Sequence, residues 1–112
     1  MTSKKLGKSE WQAYFDRVSK GLVGTRAEIE VISLNLGDQV VAEWLPIVGL
    51  IYDPKSDMVE VALDGLDHMI HEPREVYVEE AAAHLSSIEV IDAAGARQIV
   101  KLRQPLALPP PS

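Results

Sequence analysis

The sequence has no cysteine and few aromatic residues. The first shortage limits the chemistry that the protein can perform, and the second limits the residues that can form its core. Without cysteine it has no disulfide bond, no thiolate metal ligand and no cysteine nucleophile. One Phe, two Trp and three Tyr among 112 residues leave Val, Ile, Leu and Ala to build the core. A cysteine-free chain is typical of a reducing compartment, so we predict a cytoplasmic protein.

The chain also lacks long apolar runs. No uninterrupted apolar stretch approaches the roughly 20 residues of a membrane-spanning helix. The start carries three lysines around a single large apolar residue, Leu6, and lacks the apolar run of a secretory signal. We therefore expect no membrane contact. The predicted organisation is a disordered basic N-terminus at residues 1–8, one globular domain at 9–105 and a flexible proline-rich tail at 106–112.

Acidic residues dominate the middle of the chain, whose formal net charge is −6. Residues 1–26 hold six basic and two acidic residues, whereas residues 27–92 hold two basic and fifteen acidic residues. A body this acidic repels phosphate backbones and anionic lipids, which argues against nucleic-acid binding. RNA binding is a weaker alternative that rests only on what many Sm-like barrels do.

The pattern of residues 10–20 predicts an amphipathic helix. Apolar residues recur at helical spacing from Trp11 to Leu22, and Ser9 followed by Gln12 predicts a capping box at its start. Half of the aromatic residues lie on this one element. We therefore expect the helix to cover one face of a sheet.

After Arg26 the pattern changes to the alternation of β-strands. The apolar run from Val40 to Tyr52 exceeds an ordinary strand, and it contains Pro46 and Gly49. These residues predict either one strongly bent strand or two strands that meet at a corner. A helix followed by five or six antiparallel strands predicts a mostly β (α+β) fold. The specific expectation is a small barrel or rolled sheet of the Sm-like or SH3-like kind.

Later segments differ in how clearly they predict structure. A strand at Ile88–Ile91, a turn through Asp92–Gly95 and a strand at Gln98–Leu102 form the clearest hairpin pattern. The alanine-rich segment 79–85 fits either one helical turn or part of the preceding strand.

Several short motifs resemble a known family. They are W-Q-A-Y-F-D from Trp11, E-W-L-P-I-V-G from Glu43 and D-H-M-I from Asp67. Together they look like a bacterial domain family of unknown function, over roughly residues 9–106. The resemblance implies a small standalone bacterial protein and carries over no activity, cofactor or catalytic residue.

Asp67, His68 and His71 are the candidate metal ligands, because neutral imidazole and carboxylate oxygen are common donors to zinc and other transition metals. His68 and His71 are an odd number of residues apart, so in a strand they point to opposite faces. They could bind one ion together only across a turn or bulge. No cofactor is predicted, and a small-ligand or metal-dependent enzyme at this segment is the alternative function.

Trp11, Tyr14, Trp44 and Tyr52 are the candidate interaction residues, since aromatic side chains are enriched at interfaces. Core packing is the competing explanation for these side chains. No catalytic motif is present, so the favoured function is a non-enzymatic binding or assembly module. It would form a homo-oligomer or bind a protein partner. The basic N-terminal block could contact the acidic body of a neighbour, and salt would weaken that contact.

Overall fold

The computed structural model describes residues 2–110, which form one open antiparallel sheet of eight strands and one short α-helix. A single 3-10 turn at Lys8–Glu10 leads into the helix. The elements in chain order are β1 Thr2–Leu6, α1 Trp11–Ser19, β2 Arg26–Ser33, β3 Gly37–Asp53, β4 Met58–Leu63, β5 Leu66–His71, β6 Pro73–Ala81, β7 His84–Asp92 and β8 Arg97–Ala107.

The strands lie in the order β1-β6-β7-β8-β2-β3-β4-β5, and each pairs antiparallel with its neighbours. The mostly antiparallel β architecture with a helix near its start is as predicted. The sheet is not a closed barrel, because β1 and β5 lie at its two ends. It has eight strands rather than five or six, and the sequence pattern had given no sign of β1.

Strand β3 is one long bent strand, which is the first of the two alternatives that the sequence leaves open. Its first half pairs with β2 and its second half with β4. A bulge between Ile47 and Gly49 shifts the register against β4, and further shifts occur against β2. Trp44 has a φ of 51°, a left-handed value that is rare for a bulky residue. The chain therefore turns here from one half of the sheet into the other.

Helix α1 covers the sheet with its apolar face, as predicted. Trp11, Phe15 and Val18 are almost fully buried. The Ser19 hydroxyl donates to the Leu50 carbonyl at 2.6 Å and accepts from the Leu50 N–H at 2.9 Å, which ties the end of α1 to β3.

The predicted capping box at Ser9 is wrong. The helix starts at Trp11, and the preceding Glu10 carboxylate accepts from the Gly7 N–H at 2.8 Å. The 3-10 turn moves the start of the helical region ahead of Ser9, so Glu10 takes the role expected of Gln12.

The described parts of the two terminal segments make contacts with the rest of the chain. Strand β1 pairs with β6, and the side chain of its Leu6 is buried. The Trp11 indole N–H donates to the Leu6 carbonyl at 3.2 Å. At the other end, Leu106 is buried within β8. The Leu108 N–H donates to a carbonyl of the β6–β7 turn at 3.0 Å. Residue 1 and the last part of the predicted tail, residues 111–112, lie outside the described residues.

Candidate functional site

The structure does not bring the three predicted metal ligands together. Strand β5 pairs regularly with β4 from Leu66 to His71, so its side chains alternate between the two faces of the sheet. Asp67 and His71 are exposed on one face, and His68 is half-buried on the other. Within residues 2–110 there is no group of three or more His, Asp or Glu side chains placed to hold a metal ion.

His68 instead belongs to a chain of hydrogen bonds that the sequence did not predict. The distance from its Nε2 to the Gln98 Oε1 is 2.6 Å, and the Gln98 amide nitrogen donates to the Asp92 carboxylate at 2.9 Å. Since the Gln98 amide already donates to Asp92, its oxygen is the acceptor toward His68, which assigns the imidazole proton to Nε2. Gln98 is a buried polar residue, 8% exposed.

The other oxygen of Asp92 holds a turn. It accepts from the backbone N–H groups of Ala94 and Ala96, each at 3.0 Å, in the loop between β7 and β8. The chain therefore connects the end strand β5 to β8 and to this loop. Its members satisfy one another, so the arrangement is explained as a structural link between the two halves of the sheet.

Three of the four predicted interaction residues lie in the core. Trp11 and Tyr52 are buried with their rings edge to face, at a centroid distance of 5.2 Å, and Tyr14 is buried beside Phe15. Trp44 is half-exposed, and the Arg103 guanidinium lies 5.8 Å from its ring. The polar ends of the buried tyrosines are satisfied inside the molecule. The Tyr14 hydroxyl donates to Glu80, and the Tyr52 hydroxyl donates to Asp57.

Four exposed large apolar side chains lie close together in the sequence, in the hairpin formed by β2 and β3. We call these residues the hairpin surface: Leu34, Leu36, Val40 and Val41. Leu34 is fully exposed and Val40 is 53% exposed. Apolar residues grouped in this way on a surface mark interaction sites more often than scattered ones do. The sequence does contain a signal for this surface. A leucine stands on each side of an asparagine, in a segment that must turn between two strands.

The hairpin surface lies beside a strand edge that pairs with no other described strand. Residues Gly37–Ala42 of β3 pair with β2 on one side, while β4 pairs with β3 only from Ile47 onward. Within the described chain, no strand lies against the outer side of Gly37–Glu43, which we call the β3 edge. Its N–H and C=O groups form a template to which another strand can add.

Charged side chains surround the solvent face next to this edge. Asp38 on β3 and Glu30 on β2 share a hydrogen bond, which raises the pKa of Asp38 above its usual value. The same bond, followed by the ammonium of Lys101 at 2.9 Å, lowers the pKa of Glu30. Lys101 thus balances the β2 carboxylate, and Asp38 and Glu43 give the β3 edge its acidic character.

With this architecture in view, the protein is a mostly β protein with one short helix and an open antiparallel sheet. The chain belongs to a family of unknown function, DUF5335, which matches residues 2–111. An uncharacterized protein of Aquifex aeolicus (strain VF5) is 40% identical over 110 residues, covering 97% of this chain and 99% of the relative. These matches confirm the resemblance to a bacterial family of unknown function and indicate no activity.

No solved structure matches the chain. Within residues 2–110, no helix is long and apolar enough to cross a membrane.

Proposed function

We propose that this protein is a non-enzymatic binding and assembly module that accepts an extended protein segment on the β3 edge. The observation that carries the proposal is the coincidence of an unpaired strand edge, Gly37–Glu43, with the exposed apolar residues of the hairpin surface. Strand addition obtains affinity from backbone hydrogen bonds and specificity from alternate side chains. Both are available at this edge.

The chemistry of the edge defines the segment that fits it. Val40 and Val41 offer apolar contact, and the flanking Asp38 and Glu43 carboxylates attract a basic segment. The bent β3, shared by the two halves of the sheet, supports a rolled Sm-like or SH3-like arrangement. We place the module in the cytoplasm, because a cysteine-free chain suits a reducing compartment.

A peptide-display selection against the immobilised protein tests this function. We expect enriched peptides of about five to seven residues, rich in β-branched residues and Lys or Arg, that bind as an added strand. Val40→Lys places a like charge beside such a peptide and should weaken binding at least about tenfold. Val48→Lys is the matched control, since Val48 is 67% exposed on the same strand in the half that pairs with β4.

The control should bind like the wild type. Failure to enrich any extended peptide, or equal binding to the Val40→Lys and Val48→Lys variants, would overturn the proposal. Circular dichroism and thermal melting of both variants show whether the fold is retained.

A further inference from the structure

We infer that the β1 strand of a second copy of this chain is a partner of the β3 edge, so that copies associate head to tail. The inference rests on the proposed function and names its partner. Strand direction, charge and the faces of the sheet each support this contact independently.

The direction of the strands favours this contact. From β1 to β3 the sheet contains six strands in the order β1-β6-β7-β8-β2-β3, and every neighbouring pair is antiparallel. Because six is even, β1 and β3 run in opposite directions. A second copy in the same orientation therefore places its β1 antiparallel to the β3 edge, and the alternation continues across the junction. A segment with an odd number of strands would give a parallel junction instead.

Charge supports the same pairing. Strand β1 has lysines at positions 4 and 5, both exposed, and no acidic residue. The β3 edge has exposed Asp38 and Glu43 and no basic residue. Oppositely charged side chains on adjacent strands attract, whereas like charges directly opposite each other repel.

The same charges oppose symmetric dimers. If two β3 edges paired about an axis between Val40 and Val41, Asp38 of each copy would lie opposite Glu43 of the other. If two β1 strands paired about their centre, lysines would face lysines. A head-to-tail contact is the arrangement in which each edge meets the opposite sign.

The faces of the sheet agree as well. The registers define one row of directly paired residues across the solvent face: Lys5, Tyr77, Glu89, Ile99, Glu30 and Val40. Lys5 therefore projects from the same face as Val40 and as Asp38, which is two residues away on β3. Setting Lys5 of one copy opposite Asp38 of the next keeps the solvent faces continuous. This register predicts one specific ion pair.

Sedimentation velocity over a range of protein concentrations tests the inference. At an ionic strength of about 0.01 M, where the Debye length is about 30 Å, the average mass should rise with concentration. At about 1 M, where the Debye length is about 3 Å, association should weaken about tenfold or more. Head-to-tail contacts build rings or open chains, so species larger than dimers are expected.

Charge exchange identifies the edges. Lys5→Glu alone and Asp38→Lys alone should each weaken self-association about tenfold. An equimolar mixture of the two variants should associate again, because the intact basic β1 of one variant meets the intact acidic β3 edge of the other. Lys55→Glu and Asp16→Lys are matched controls, since both residues are exposed and belong to neither β1 nor the β3 edge. They should associate like the wild type, and melting curves confirm that all four variants fold.

Some results separate this inference from the proposed function. A chain that stays monomeric at low salt but still binds displayed peptides through Val40 overturns self-association and leaves strand addition standing. Formation of symmetric dimers whose affinity is unchanged by Lys5→Glu also overturns the head-to-tail contact. A chain that neither associates nor enriches any peptide overturns both.

Discussion

At the scale of single residues, the turn between β6 and β7 is built from residues that do not suit it. Ala82 and Ala83 form a two-residue hairpin loop with φ values of 52° and 63°. Two positive φ angles define a type I′ turn, which strongly favours Asn-Gly or Asp-Gly. An alanine in the left-handed region costs about 1–2 kcal/mol because its Cβ crowds the backbone. Strain is therefore present at this loop.

Replacing Ala83 with glycine should relieve that strain. We expect Ala83→Gly to raise the free energy of unfolding by about 0.5–1 kcal/mol, since part of the relief is offset by the greater freedom of glycine in the unfolded chain. Chemical denaturation measures the change, with the dependence of the free energy of unfolding on denaturant concentration held equal for the two proteins. Ala94→Gly is the control: Ala94 does not itself have a positive φ, so this variant should be neutral or destabilised. A lower denaturation midpoint for Ala83→Gly would contradict the assignment of strain.

This loop shows why the sequence pattern was ambiguous there. The segment 79–85 fits a helical turn or a strand equally well by composition, because alanine carries no turn signal. In the structure it contains the end of β6, the tight turn and the start of β7 at His84. Tertiary pairing of the two strands fixed a conformation that the local residues disfavour.

At the scale of elements, Gln98 links β5 to the body of the sheet. Gln98→Met keeps the length of the side chain but removes its bonds to His68 and Asp92. We expect the free energy of unfolding to fall by about 1–3 kcal/mol, because polar groups lose their partners in a part-buried position. Relative to the wild type, the rate of amide hydrogen exchange should also increase more in β5 than in β2.

Two comparisons check this expectation. Gln39→Met changes an exposed glutamine on β3 and should leave both measurements unchanged. If Gln98→Met leaves β5 as protected as in the wild type, the hydrogen-bond chain does not hold the end of the sheet.

The elements divide into those that the sequence could predict and those that it could not. Amphipathic spacing predicted α1, and alternation predicted strands such as β7 and β8, because these patterns are local. Strand β1 was not predicted, because a lysine-rich segment with only Leu6 as a large apolar residue shows no alternating strand pattern. The strand is stabilised by its pairing with β6.

The candidate site depended on strand order, which no local pattern contains. The parity of positions 68 and 71 had already indicated opposite faces, and the structure agrees. By contrast, the bare edge at Gly37–Glu43 exists only because β4 begins pairing at Ile47. The exposed valines there look like core residues in the sequence alone.

At the scale of the whole molecule, two buried tyrosines make the fold sensitive to alkali. Burial, followed by the hydrogen bond to Asp57, raises the pKa of Tyr52 to about 12. Burial and the Glu80 carboxylate likewise raise the pKa of Tyr14 above its ordinary value. A tyrosine in the unfolded chain ionises near pH 10. The stabilisation is therefore complete below about pH 10 and is lost as the pH rises toward 12.

Tyr52→Phe should change this dependence in a defined way. The variant should be less stable than the wild type at neutral pH by about 1 kcal/mol, because the bond to Asp57 is lost. The difference should shrink between about pH 10 and 12. In this range the wild type loses stability, because Tyr52 ionises in the unfolded chain but stays protonated in the folded protein. Urea unfolding at a series of pH values measures both curves. Parallel curves above pH 10 would show that Tyr52 ionises normally in the folded protein.

The order of the strands also has a consequence for how the chain folds. Strand β2 lies between β3 and β8, and its Ile29 pairs with Val100, far along the chain. Contacts this distant in sequence form late, because a long loop must close before they can contribute. During synthesis at about 5–20 residues per second, β2 waits for several seconds with one side bare. Over that interval the nascent chain exposes a strand edge that the finished protein covers, and an exposed strand edge can pair with another chain.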